Sequence, residues 1–274
     1  MNTSIDSPLA RNTARILLNK VPEATLLFWL VKICSTTVGE TGADYLNETL
    51  GFGLTRTTAV VAALLVVGLA AQFAVRRYLP WLYWGNVVVI SVVGTLFSDN
   101  LVDGYGVPLW LTTTIFGVLL AVTFAAWFAV ERTLSIHSIV TRRREAFYWL
   151  AILFAFALGT SAGDWFAEGM NLGYLPSAAI FAAVIAAIAL ARFGLKANAV
   201  AAFWAAYVMT RPLGASIGDL LSQSVKDGGV GMGTTWTSDA FLAIILLGVI
   251  AFTVRQRREP GTARPLPVRT PVLD

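Results

Sequence analysis

Cysteine, histidine and charge are scarce in this chain. Cys34 is the lone cysteine among 274 residues, so no intrachain disulfide can form. His137 is the lone histidine, which argues against a His/Cys metal cluster or an axially ligated haem. Charged residues make up 13% of the chain, about half the share usual in a soluble domain. No phosphate-binding glycine loop is present, so ATP-driven pumping by this chain is not expected, and no cofactor is expected. Residues 1–20 are mostly polar and the first apolar run is too long for the core of a cleavable signal peptide.

What the chain has instead is apolar length. Hydrophobic residues make up 57% and the mean hydropathy is +0.70. Apolar runs long enough to cross a bilayer recur throughout, which predicts a polytopic membrane protein with the lipid bilayer as its first partner. The net charge of +4 needs no nucleic acid to explain it, because the bases sit in short connections between apolar runs.

Breakers divide the runs into eight predicted helices, near 23–48, 56–75, 80–102, 108–131, 146–168, 174–192, 197–222 and 237–255. Connections after the first, third, fifth and seventh are glycine-rich. The others carry Arg76 and Arg77, then Arg132 and Arg142 to Arg144, then Arg192 and Lys196. With the terminal bases, one side collects sixteen and the other only Arg56 and Lys226. The positive-inside rule therefore places both termini in the cytoplasm. On this reading 1–22 is a cytoplasmic N-terminal segment, 132–145 a basic cytoplasmic connection, and 260–274 a proline-rich, disordered cytoplasmic tail.

Four stretches share one pattern: FWLVKICSTTVGETGAD (28–44), YWGNVVVISVVGTLFSD (83–99), YWLAILFAFALGTSAGD (148–164) and FWAAYVMTRPLGASIGD (203–219). Each runs aromatic, Trp, nine residues, Gly, four residues, Asp. The tryptophans are Trp29, Trp84, Trp149 and Trp204, the glycines Gly39, Gly94, Gly159 and Gly214, and the aspartates Asp44, Asp99, Asp164 and Asp219. Spacings of 55, 65 and 55 residues point to a two-helix hairpin duplicated twice, with repeats at 23–75, 80–131, 146–192 and 197–255. Since each repeat spends two helices, all motif helices run the same way. The expected fold class is an all-α integral membrane protein of eight transmembrane helices. They form four parallel two-helix repeats around a pseudo-symmetry axis along the membrane normal.

On those residues the chain resembles the bacterial membrane proteins built from four tandem two-helix repeats, each with a conserved tryptophan. They are described as a repeat of unknown function and as uncharacterised membrane-anchored proteins. The resemblance spans roughly residues 20–258. It implies the architecture and a multi-pass bacterial inner-membrane location, and it carries no established activity. Trp29, Trp84, Trp149 and Trp204 match the family's repeat tryptophan.

At about 100° per residue, Trp, Trp+7, Gly, Trp+11 and Asp share one helix face about 140° wide. Trp+7 is Thr36, Ser91, Phe156 and Arg211; Trp+11 is Glu40, Thr95, Thr160 and Ala215. Lys32 and Tyr207, at Trp+3, fall on the same face. A polar stripe within a membrane faces the bundle interior or a wet path. The tryptophans and glycines read first as packing, through interfacial anchoring and close helix approach. For the tryptophans the sharper reading is a cation–π contact, and for the glycines local unwinding, most plausible at Gly214 after Pro212.

The aspartates read either as solvated caps or as an outer carboxylate ring that attracts cations. Asp44, Asp99, Asp164, Asp219 and Glu40 give five negative charges against Lys32 and Arg211 as counter-charges. The excess must be wet, protonated or neutralised by a cation. If the repeats close into a ring, Arg211 meets Glu40. The leading function class is a cation transporter or channel, with a proton or inorganic cation as partner. The alternatives are a structural or regulatory protein that binds a lipid or protein, and an intramembrane aspartyl enzyme. GYG at 104–106 without a pore helix, and Lys32 as a retinal lysine, are weak readings. The sequence leaves the oligomeric state open.

Overall fold

Local signals set where the helices begin. The Thr25 hydroxyl accepts from Phe28 N–H and starts α1 (Leu26–Asp44), and Asn198 Oδ1 accepts from Val200 and Ala201 N–H and starts α7 (Ala199–Ser222). Pro80, whose missing N–H costs nothing in a first turn, opens α3 (Pro80–Asp99). The computed structural model describes residues 19–258 and places α2 at Leu54–Ala74, α4 at Leu109–Glu131 and α5 at Arg142–Asp164. The remaining helices are α6 at Tyr174–Phe193 and α8 at Thr234–Arg258. Arg11, Arg15, most of the segment 1–22 and the tail 260–274 lie outside the described residues. Among the described residues there is no strand.

The odd-numbered helices carry the motif and form the inner layer. α1 packs on α3, α3 on α5, α5 on α7, and α7 closes on α1. The glycines set the spacing of this ring. A Cβ at Gly39, Gly94, Gly159 or Gly214 would stand less than 3.0 Å from Ser91, Phe156, Arg211 or Thr36 respectively. Each contact joins one repeat's glycine to the Trp+7 residue of the next, and the fourth returns to the first. A second cycle of contacts runs near the tryptophans. Trp84 packs on Phe28 (5.5 Å between ring centroids), Trp149 on Tyr83 (5.6 Å), Trp204 on Tyr148 (6.0 Å) and Trp29 on Phe203 (5.5 Å).

The even-numbered helices form an outer layer, and here the hairpin expected for each repeat gives way to an interlocked arrangement. α2 packs chiefly on α3, α4 on α5, α6 on α7, and α8 returns to α1. Small residues explain the choice. Gly68 of α2 lies against Asn86 of α3, whose Nδ2 donates to Gly68 O (3.1 Å), and Gly248 of α8 lies against Val31 of α1. Asn86 and Val31 both stand at Trp+2.

Six helices, α2 to α6 and α8, are long and apolar enough to cross a membrane, which points to a membrane protein. The best apolar windows of α2, α4, α6 and α8 are only 22% buried, against 56% in α3 and 61% in α5. The outer layer thus presents Val60, Val67, Val118, Leu246 and similar residues outward. α1 and α7 are outside the set of six because Lys32, Glu40 and Arg211, with their serines and threonines, lower their mean hydropathy.

Helix ends differ from expectation in three places. Immediately after Asp44, Asp99 and Asp164 the chain widens into single π-helical turns, Tyr45–Thr49, Asn100–Gly104 and Trp165–Gly169. α5 starts at Arg142, because the Thr141 hydroxyl accepts from Arg144 N–H; the three arginines form its first turn and are not part of a loop. α7 is continuous through Pro212, so the glycine there marks close approach without unwinding. Gly94→Ala, which crowds Phe156, is expected to cost about 1–3 kcal/mol. Gly85→Ala on the same helix meets nothing within 4 Å and should change stability by about 0.5 kcal/mol or less. Equal melting temperatures for the two purified variants would contradict the ring packing.

Candidate functional site

The ring brings successive turns of the four motif helices into layers. Trp+3, Trp+7 and Trp+11 residues are buried in every repeat, from Lys32, Val87, Ile152 and Tyr207 up to Glu40, Thr95, Thr160 and Ala215. Arg211 holds the centre. It is fully buried, and its Nη2 lies 2.9 Å from Glu40 Oε2 and 2.7 Å from Thr160 Oγ1, with Thr95 Oγ1 also in contact. Nη1 donates to Thr36 O (2.9 Å). One guanidinium from the fourth repeat therefore engages the other three. The Thr36 hydroxyl returns a bond to Thr210 O (3.1 Å), tying α1 to α7.

Beyond Arg211 lie the acids. Carboxylate oxygens of Glu40, Asp164 and Asp219 all lie within 4.8 Å of one another. That is the spacing of a group able to share one cation through hard oxygen ligands. Asp219 is only 7% exposed and, among the described residues, none of the four aspartate carboxylates has a hydrogen bond or ion pair. Asp44 and Asp99 stand outside the group of three, but each feels the charge of Glu40, and Asp99 also that of Asp164 and Asp44. Among the described residues Arg211 is the one cation hydrogen-bonded to this cluster, and the Thr95 hydroxyl also donates to Glu40 Oε2 (3.4 Å).

The other counter-charge goes elsewhere. Lys32 Nζ sits 4.0 Å from the centroid of the Phe156 ring and 4.3 Å from that of Tyr207, fully buried and with no hydrogen-bond partner. Glu40, two turns along, is already held by Arg211, and Phe156 closes the layer between them. Aromatic faces attract an ammonium and replace the carboxylate expected as its partner. Beneath Lys32, towards the tryptophan end, the interior is sealed by aromatic side chains. Tyr83 and Tyr148 hydroxyls meet at 2.5 Å, and Phe28, Trp84 and Tyr207 are buried beside them. Trp29, half-buried, packs against Phe203; Trp149 and Trp204 are buried, and Trp204 Nε1 donates to Leu134 O (2.9 Å). Cys34 is buried and unpaired.

The aspartate end is open by contrast. Asp44, Asp99 and Asp164 are partly exposed, and the π-helical turns that follow them carry exposed Glu48, Asp103 and Glu168. These stand at Trp+19 in repeats one to three; the fourth has Gln223 there and no such turn. Asp44 feels the charge of all three, and Glu168 is held by the Tyr174 hydroxyl (3.1 Å). Extending the sequence pattern four residues past each aspartate would have found them. The site is thus a stepped acidic recess: an exposed rim, the partly exposed Asp44, Asp99 and Asp164, and the buried Glu40 and Asp219 closed at the base by Arg211.

Arg211→Met would strand Glu40 and several threonine oxygens, and is expected to cost about 3–5 kcal/mol, as breaking a buried pair does. Lys32→Met removes no hydrogen bond and is expected to be neutral or stabilising. Denaturation of the purified variants checks this; a Lys32→Met loss as large as that of Arg211→Met would contradict it.

Neither a curated protein nor a solved structure matches the chain. A repeat family does, in four tandem copies at residues 27–78, 82–133, 147–198 and 202–259, each taking in one motif helix and the helix after it. The chain belongs to the family described as Repeat of Unknown Function (DUF347).

Proposed function

We propose that this protein is a cation transporter, coupled to protons, that binds its cation at Glu40, Asp164 and Asp219. The observation that carries the reading is the convergence of those three carboxylates within 4.8 Å, with Arg211, among the described residues, the one cation hydrogen-bonded to them. Crowded carboxylates in a low-dielectric interior cannot all stay charged unless a cation or protons join them. Exchange between cation and protons at one cluster is the chemistry of an antiporter.

In this reading all eight helices cross the membrane as four parallel repeats about an axis along its normal. Both termini are cytoplasmic, and the membrane is the inner membrane of a bacterium. The stepped recess then faces outward, and its exposed rim of Glu48, Asp103 and Glu168 concentrates cations at the mouth. Aromatic layers around Lys32, Tyr83 and Tyr148 seal the cytoplasmic half, which favours alternating access over an open pore. Arg211 acts as a tethered cation that occupies Glu40 when the transported ion is away. All ligands are hard oxygens, so protons, alkali cations, magnesium or manganese suit the cluster better than copper or zinc.

Reconstituted vesicles under a pH gradient test this. Wild-type protein is expected to move a hard cation against protons, and Asp164→Asn and Asp219→Asn to slow that flux at least tenfold, about 1.4 kcal/mol or more on the barrier, while remaining folded. Absence of flux of every alkali and divalent cation tried, at every pH gradient, would overturn the proposal.

A further inference from the structure

One repeat junction differs from the others, and the difference builds a groove. The second motif begins 55 residues after the first and the fourth 55 after the third, but the third begins 65 after the second. The extra residues form the turn Ile136–Ser138 and its flanks, between α4 and α5. Ile136 and Ile139 are buried, and the bond from Trp204 Nε1 to Leu134 O holds the insertion against α7. Together with α1, α6 and α7 it borders a half-open groove of about 600 Å³.

The walls of that groove are apolar. Trp29 and Ile33 come from α1, Ile185 and Ile188 from α6, and Phe203 and Ala206 from α7. Its polar side chains include Arg192, in the last turn of α6, and His137, exposed on the insertion. Among the described residues neither side chain makes a hydrogen bond or ion pair; Arg192 only lies over the neighbouring Phe193 ring (5.9 Å). The groove runs from this basic end to Thr210, next to Arg211 in the chain. An apolar slot that opens at a basic end matches one chemistry, a hydrocarbon chain joined to an anionic phosphate. Basic side chains at a membrane surface attract anionic lipid headgroups.

We propose that this groove binds an anionic phospholipid, with the phosphate at Arg192 and His137 and an acyl chain running between α1 and α7 towards Thr210. The inner end of the chain would then lie between the two helices joined by the Arg211–Glu40 pair. Lipid occupancy is thereby placed to bias the packing that sets that pair. The proposal stands without the transport reading, since it rests on a different face of the molecule.

Tryptophan quenching tests it directly, because Trp29 lines the groove. Full-length protein is reconstituted in phosphatidylcholine vesicles containing phosphatidylglycerol or phosphatidylethanolamine with brominated acyl chains. Phosphatidylglycerol is expected to quench with about fivefold higher apparent affinity, the effect of one basic side chain at a membrane surface. Arg192→Gln should remove that preference, Trp29→Phe should remove the preferential component of the signal, and Ala206→Phe should block it by filling the slot. Equal quenching by both lipids overturns the proposal. So does a preference that survives Arg192→Gln, or one that survives Trp29→Phe and so arises at another tryptophan. Arg192 lies at a helix end and, among the described residues, has no ion pair, so the Arg192→Gln result does not depend on whether Ala206→Phe folds.

Discussion

Four glycines decide how near the motif helices come to one another, and the interior follows from that distance. Gly39, Gly94, Gly159 and Gly214 each admit a side chain of the next helix where no Cβ could fit. Backbones that close leave little room on the axis for large side chains. In the Trp+7 layer Phe156 and Arg211 take that room while Thr36 and Ser91 stay small. Symmetry in the backbone thus requires asymmetry in the side chains. Arg211 serves as the shared partner of three repeats, since four arginines could not occupy one axis.

The interlocked outer layer adds to this constraint. Each outer helix leaves its own repeat and packs on the motif helix of the next, so every junction is covered by a helix that belongs to the preceding repeat. Closure of α8 on α1 and of α7 on α1 makes the ring a single unit. Docking at Gly68 and Gly248 repeats, on the outside, the close approach used on the inside. In lipid, where burying apolar surface gives little drive for association, such tight packing is the main source of cohesion.

Much of this was legible in the chain. The Trp–Gly–Asp period gave four equivalent elements, and helical geometry placed Glu40, Thr95, Thr160 and the aspartates on one stripe. The meeting of Arg211 with Glu40 followed once a ring was assumed. Other features were not legible for stated reasons. Pairing of outer helices depends on which neighbour offers a matching surface at Trp+2, and connectivity does not reveal that. The destination of Lys32 depended on Phe156 and Tyr207 arriving from two other repeats. Glu48, Asp103 and Glu168 lie four residues past the last residue of the Trp–Gly–Asp pattern, inside the π-helical turns, so a pattern that ends at the aspartate does not reach them. Arg142 to Arg144 read as a loop until Thr141 proved to be a cap.

Charge is the remaining imbalance, and it links the fold to the proposed activity. Lys32 is spent on aromatic rings and Arg211 on Glu40, which among the described residues leaves Asp164 and Asp219 beside Glu40 without a cation of their own. A protein that wanted only stability would fill this layer with apolar side chains. The central claim is that a cation from outside the chain completes the cluster. Infrared difference spectra recorded on cation exchange, over reconstituted protein, test it most directly. The account predicts carboxylate bands that shift with the cation and vanish in the combined Glu40→Gln, Asp164→Asn, Asp219→Asn variant. A carboxylate region unchanged by any alkali or divalent cation, across the pH range in which the protein stays folded, would contradict it.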